Sequence, residues 1–156
     1  MTVLMSFKPS IFNKIVDQIK IIEYRRNFPK NCSYAYMYVS RPVQAVCGII
    51  YFGDIHSLLD WKNMYSDNDI ILQRINKYID EYRFGTEIIA VQKIKPLSLK
   101  KLRDNLINFQ PPQSYYILEN NIPLKIFLEN NLFYLEEKLI NNVTNIFPEH
   151  ICKEYF

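Results

Sequence analysis

Glycine is scarce in this sequence, with 3 in 156 residues, at Gly48, Gly53 and Gly85. None stands in GxGxxG or GxxxxGK[ST] spacing, so the backbone loops that cradle phosphate in dinucleotide and P-loop sites are missing. Cysteine and histidine are thin as well. Cys32, Cys47 and Cys152 form no CxxC pair, and the 2 histidines give no structural-zinc spacing. His150 and Cys152 lie two apart, but two ligands do not make a metal site. There is no GxSxG elbow and no HExxH, which leaves conventional hydrolase chemistry without a local motif. Apolar runs such as 46–52 fall far short of the ~20 residues that span a bilayer. The opening MTVLMSFKPS has neither the basic nor the apolar region of a secretory signal. An odd number of free thiols in such a chain fits a reducing compartment. The expectation is a cytoplasmic protein with no metal, no cofactor and no membrane span.

What is present is an ordinary globular composition, 49% apolar and 22% charged, long enough for one domain with a real core. Charge is unevenly spread. Residues 1–41 hold seven Lys or Arg against two acids, whereas residues 119–156 hold three against six. A basic first quarter points to an anionic partner near the N-terminal segment. The acidic end would cover or compete for that region, or simply form a solvated face.

Pattern divides the chain into several strands interrupted by helices. Residues 2–7 alternate, with Leu4, Ser6 and Lys8 on one face and Met5 and Phe7 on the other. Pro9 suits the first turn of a helix over 9–18 that buries Phe12, Ile15, Val16 and Ile19. Strands are expected at 20–26, 33–40, 43–52, 86–95 and 115–118. Helices are expected at 57–65 and 69–82, and at 98–106 behind a Ser98 N-cap. The Asn-rich remainder reads as mainly helical, with Phe127, Leu128, Leu132, Leu135 and Leu139 available for packing. Irregular mixing of this kind argues for an α+β domain on a small mixed barrel. The expected division is a domain over 1–118 and an extension over 119–156 packed on the same barrel.

Within this plan the run KIIEYRR at 20–26 stands out, because it sets Lys20, Glu23, Arg25 and Arg26 around Ile21, Ile22 and Tyr24. In a regular strand Glu23 and Arg25 share one face and Lys20 takes the other. Lys20 joins them only if it lies in the turn before the strand. The three would then converge on one pocket, with donors left for a polar or anionic ligand. The alternative is a structural Glu23–Arg25 ion pair with Lys20 solvated.

QIKIIEYR at 18–25 resembles the GxKxxExR signature of ASCH domains, in the PUA-like superfamily, through Lys20, Glu23 and Arg25. SFKP at 6–9, YVSRPVQAVCG at 38–48 and QPPQSYYIL at 110–118 extend the resemblance over roughly residues 3–118. The departure is Gln18, where the family has a glycine, the residue suited to ending the helix in a left-handed conformation. The resemblance implies a PUA-like β-barrel with surrounding helices and a cleft lined by the signature residues. It also implies a nucleic-acid-associated binding module, holding RNA or a modified nucleoside. Ligand contacts are expected from Lys8, Lys20, Glu23, Arg25, Ser40, Gln113 and Ser114, and backbone phosphate contacts from Lys14, Arg26, Lys30 and Arg41. The alternative is a small amidohydrolase or ribonuclease using Lys20 and Glu23. For the amidohydrolase branch, Glu23 stands where a threonine nucleophile is expected. Tyr34, Tyr36 and Tyr38, on one strand face, are either stacking planes for bases or core packing.

Overall fold

The alternation in β1 (Val3–Phe7) organises the molecule, because its two faces feed two cores. Leu4 packs with Tyr36, Tyr38, Val46 and Ile49. Val3, Met5 and Phe7 pack on the other side with Ile15, Phe28, Met37 and Ile50. The computed structural model describes residues 1–155. In chain order the further elements are α1 (Pro9–Val16), β2 (Ile22–Arg25), β3 (Tyr34–Val39), β4 (Ala45–Ser57), α2 (Leu58–Met64), α3 (Asp69–Tyr78) and β5 (Phe84–Ser98). They are followed by α4 (Leu99–Asn105), β6 (Tyr115–Ile117), a 3-10 turn (Leu118–Asn120), α5 (Ile122–Asn130) and β7 (Leu139–Ile140).

The strands form one mixed sheet in the order β2-β5-β4-β3-β1-β6, with β7 added to β5. The β1–β3 pair is parallel, and β3–β4, β4–β5, β2–β5 and β1–β6 are antiparallel. Fold class is therefore α+β, as the irregular mixing of strands and helices implied, but the expected barrel is only half closed: β2 and β6 are the two free ends of the path. Pro111 and Pro112 lie upstream of β6 and have no N–H to donate, which keeps that end strand short. Shifts of register in β4 at Phe52 and between Val46 and Gly48 help curl the sheet.

Helices sit where their caps place them. Pro9 opens α1, and Ser57, Asn68, Ser98 and Asn121 each accept a backbone N–H at the start of α2, α3, α4 and α5. A third core joins Ile22 and Tyr24 to Trp61 of α2, Ile71 and Ile75 of α3, and Ile146 and Ile151 near the C-terminus. Gly85 is needed here for close approach: a Cβ on it would lie 2.8 Å from the Trp61 ring and 3.1 Å from that of Tyr24. No helix among the described residues is long and apolar enough to cross a membrane.

Some expected bounds move. The strand expected at 43–52 continues to Ser57, and that expected at 86–95 runs from Phe84 to Ser98, because the two pair along nearly their whole lengths. The helix expected to end near 82 stops at Tyr78, and Ile19, expected in the buried stripe of α1, is exposed beyond that helix's end. Among the described residues of the extension, regular helix is confined to α5. From 131 to 155 the chain is irregular apart from β7, and Leu135 is exposed rather than packed. Asparagine competes for backbone partners and favours turns over helix interiors, which accounts for this.

Candidate functional site

The route from α1 into β2 decides where Lys20 goes. Gln18 adopts φ 59, with Gln18 N–H donating to Ile15 O and Ile19 N–H donating to Lys14 O. This is a Schellman helix stop with glutamine in the left-handed position usually given to glycine. The conformation costs a non-glycine residue on the order of 1 kcal/mol. The side chain offsets part of that, since Nε2 donates to Ile140 O at 3.0 Å and to Asn141 Oδ1 at 3.1 Å. Lys20 then lies before β2 begins at Ile22, outside the strand's two-residue parity.

The structure brings Lys20 together with Glu23 and Arg25. A cleft of about 760 Å³ is lined by all three, and also by Lys8, Arg26, Ser40 and Gln113. Glu23 is 6% exposed, and its Oε1 lies 3.6 Å from Arg25 Nε. Its Oε2 has no hydrogen-bond partner among the described residues, nor does the hydroxyl of Thr86, which faces Glu23 across the β2–β5 ladder. A buried carboxylate oxygen left open is expensive, and with the unpaired Thr86 hydroxyl on the facing strand it makes two uncompensated polar groups at this wall.

Arg25 behaves differently from the expectation of free donors. Its Nη2 donates to Ser6 O at 2.6 Å, and Nη1 donates to Ser114 O at 3.3 Å and Ser114 Oγ at 3.4 Å. The guanidinium also lies 5.0 Å from the centroid of the Phe7 ring. Most of its fork is thus spent holding β1 and the 110–114 loop. Ser114 meets the cleft through Arg25 and does not itself line it.

Lys20 is the half-buried cation of the group. Its ammonium sits 5.1 Å from the Tyr24 ring centroid. Burial lowers its pKa below the ordinary lysine value, the attraction of Glu23 opposes this, and the Arg25 and Lys14 charges add to the lowering. An amine so placed holds more of its neutral form near neutral pH than a surface lysine does.

The 110–114 loop is pinned from several sides. Ser6 N–H donates to Ser114 O at 2.9 Å, Ser6 Oγ donates to Pro112 O, and Tyr116 Oη donates to Gln110 O at 2.9 Å. Ser6, on the same face as Lys8, is occupied in this way. Lys30 and Arg41 are exposed and do not line the cleft, and Lys14 Nζ donates to the Tyr155 carbonyl at 2.6 Å. The tyrosine alternatives are resolved in favour of packing: Tyr36 and Tyr38 are buried in the first core, with Tyr34 against it, although Tyr38 also reaches the cleft wall.

One wall was missed in the sequence. Lys77, Tyr78, Glu81 and Tyr82, from α3 and the turn after it, line the cleft together with Glu154. Tyr78 packs edge-on to Tyr24, with ring centroids 4.9 Å apart. The Tyr78/Tyr82 spacing reads as core stripe, and the Lys77/Glu81 pair one residue earlier was the available signal of a polar face beside it. The C-terminal segment is moored next to this wall. Tyr24 Oη accepts from Cys152 N–H at 2.7 Å and donates to His150 O at 3.3 Å.

No protein-family model matches the chain. It is similar to a curated protein of Zymomonas mobilis subsp. mobilis named "ASCH domain-containing ribonuclease", at 30% identity over 120 residues, which cover 71% of this chain and 80% of the relative. Among solved structures, the crystal structure of ASCH from Zymomonas mobilis matches with a TM-score of 0.55 at 27% identity, covering 80% of this chain and 94% of that one. A tyrosine-to-phenylalanine variant of ZmASCH from the same organism matches with a TM-score of 0.60 at 24% identity, covering 84% of this chain and 98% of that one.

Proposed function

This chain belongs to the ASCH-domain family, and on that premise we propose that it is an RNA-associated protein whose Lys20/Glu23/Arg25 cleft binds RNA or a nucleoside. The observation that carries the reading is the pairing of a half-buried ammonium, Lys20, with an unpartnered buried carboxylate oxygen on Glu23. A nucleotide offers what each lacks: phosphate or carbonyl oxygens for the cation, and N–H or hydroxyl donors for the acceptor. Arg25 shapes the cleft by fixing the loop at Ser114, and Arg26 and Lys8 at its walls supply further charge. Lys30 and Arg41 extend the backbone contacts over the exposed surface, while Lys14 contributes only if it leaves the Tyr155 carbonyl. In this reading residues 1–118 are the ASCH unit. Residues 119–156 are an extension tied to it through Gln18–Asn141 and Tyr24–Cys152.

A second reading, cleavage of the bound RNA, is favoured by the ribonuclease name of the relative and by the lowered pKa of Lys20. A neutral Lys20 amine would take the proton of a ribose 2′-hydroxyl. The 2′ oxygen would then attack the adjacent phosphorus, and the 5′ oxygen would leave, taking a proton from water. Gel-shift titration of single-stranded and hairpin RNA tests binding, and an end-labelled strand incubated with the protein tests cleavage. Both signals are expected to fall in Lys20→Ala. A folded Lys20→Ala variant with unaltered binding would overturn the cleft as the site.

A further inference from the structure

A second cavity, of about 800 Å³, opens on the other side of the 110–114 loop, and it contains no charged side chain. Its polar lining is carboxamide: Asn105, Asn108, Gln110, Asn120 and Asn121, with Tyr116 as an aromatic plane. We propose that this pocket is a base-reading subsite, which takes the nucleobase of a nucleotide neighbouring the one held in the charged cleft. The inference rests on the RNA reading above and adds to it the part of the ligand that is read for identity.

Three of the amides are oriented by bonds that leave one end open. Asn105 Nδ2 donates to Lys101 O at 2.8 Å, leaving Oδ1 as an acceptor. Gln110 Oε1 accepts from Arg103 at 3.3 Å, leaving Nε2 as a donor. Asn121 Oδ1 accepts from Leu124 N–H at 3.2 Å, leaving Nδ2 as a donor. Asn108 and Asn120 are exposed and can present either end. Carboxamides match the mixed donor and acceptor edges of bases, and splayed bases in single strands are read by such edges together with stacking. Tyr116 is 37% exposed and its hydroxyl is fixed by Gln110 O, so its ring is a held plane. No lining residue is a cation, and Arg103 beside the pocket donates to Gln110 Oε1 and Phe109 O, so the pocket favours the uncharged part of a nucleotide over its phosphate.

The geometry ties the pocket to the cleft. Pro111, Pro112 and Gln113 line the cleft, while Gln110 and Tyr115 line the pocket, so one short stiff segment is the wall between them. Two prolines stiffen that wall, and Ser6 and Arg25 hold it from the cleft side through Pro112 O and Ser114. A strand crossing it would place phosphate near Lys20 and an adjacent base among the amides.

The test is fluorescence anisotropy with short labelled homo-oligonucleotides of A, C, G and U, comparing the native chain, Gln110→Ala/Asn120→Ala and Lys20→Ala, each checked for folding by thermal melting. The native chain is expected to prefer one base by about fivefold or more, the scale of a single stacked and hydrogen-bonded base. The double variant is expected to bring all four within about twofold, without changing the salt dependence. Lys20→Ala is expected to weaken all four alike and keep the preference. A double variant that keeps the native preference, or a native chain with none, overturns the subsite while leaving RNA binding intact. Failure of the native chain to bind any of the four overturns the RNA reading and the subsite together.

Discussion

The Arg25 guanidinium reaches from β2 to Ser114 at the start of β6, bonding both its carbonyl and its hydroxyl, with Ser6 O as the third acceptor. β2 and β6 are the two ends of the strand path. One side chain therefore spans the seam at which a full barrel would pair backbone to backbone. Removing it should cost stability as well as shape, because Glu23 is left buried beside it without its cation. Arg25→Met is expected to lower unfolding free energy by about 2–4 kcal/mol in urea titration. Arg25→Lys should recover little of this, since an ammonium cannot serve three acceptors in the geometry of a planar fork. A lysine variant as stable as the native chain would show that charge alone holds the seam.

Gln18 carries two opposed contributions, which two substitutions separate. Gln18→Gly relieves the left-handed strain but gives up the bonds to Ile140 and Asn141, so its stability should stay within about 1 kcal/mol of native. Gln18→Ala keeps the strain and loses the bonds, and should fall about 1 kcal/mol or more below the glycine variant. Thermal unfolding of both proteins reads the difference directly.

Lys20 gives a pH signature with a definite sign. Its pKa is lowered in the folded chain, chiefly by burial. The unfolded chain therefore holds its proton to higher pH than the folded chain does, and stability rises with pH through the window below the ordinary lysine value of 10.5. Lys20→Met should consequently be more stable than the native chain at neutral pH, with the advantage shrinking as pH climbs through that window. Were the attraction to Glu23 dominant, the variant would instead be the less stable of the two. An amine-directed label should also modify Lys20 at lower pH than it modifies Lys100, whose pKa is raised by Asp104.

The three thiols should be silent. Burial pushes Cys32 and Cys47 up to about 11 and Cys152 up to about 12. Only the thiolate reacts at an appreciable rate. A disulfide reagent at mildly alkaline pH is expected to find no fast thiol in the native protein and three after denaturation. A fast native thiol mapped to Cys152 would indicate that the C-terminal segment opens readily from Tyr24.

Local features were legible in the sequence where one residue's neighbours decide its fate. The faces of β1 and the cap at Ser98 follow from alternation and capping, whereas the strand expected at 20–26 begins only at Ile22, which leaves Lys20 in the turn that Gln18 sets. The half-closed barrel was not legible. It depends on β2 and β6 ending the strand path unpaired with each other, which only the folded sheet defines. The α3 wall was hidden for a related reason: Tyr78 and Tyr82 carry a core pattern, and only the packing of Tyr78 on Tyr24 turns that stripe towards the cleft. The extension's irregular course rests on side-chain bonds from Gln18 and Tyr24, far away in sequence.

The most direct test of the account is the anisotropy of short single-stranded and hairpin RNA with the native chain and Lys20→Ala, at low and at physiological salt. Binding that weakens with salt, and a variant with lower affinity and a salt slope shallower by about 0.7 on a single strand, is the predicted result. Equal binding by the two folded proteins, or none by the native chain at low salt, would contradict the placement of RNA in the Lys20/Glu23/Arg25 cleft.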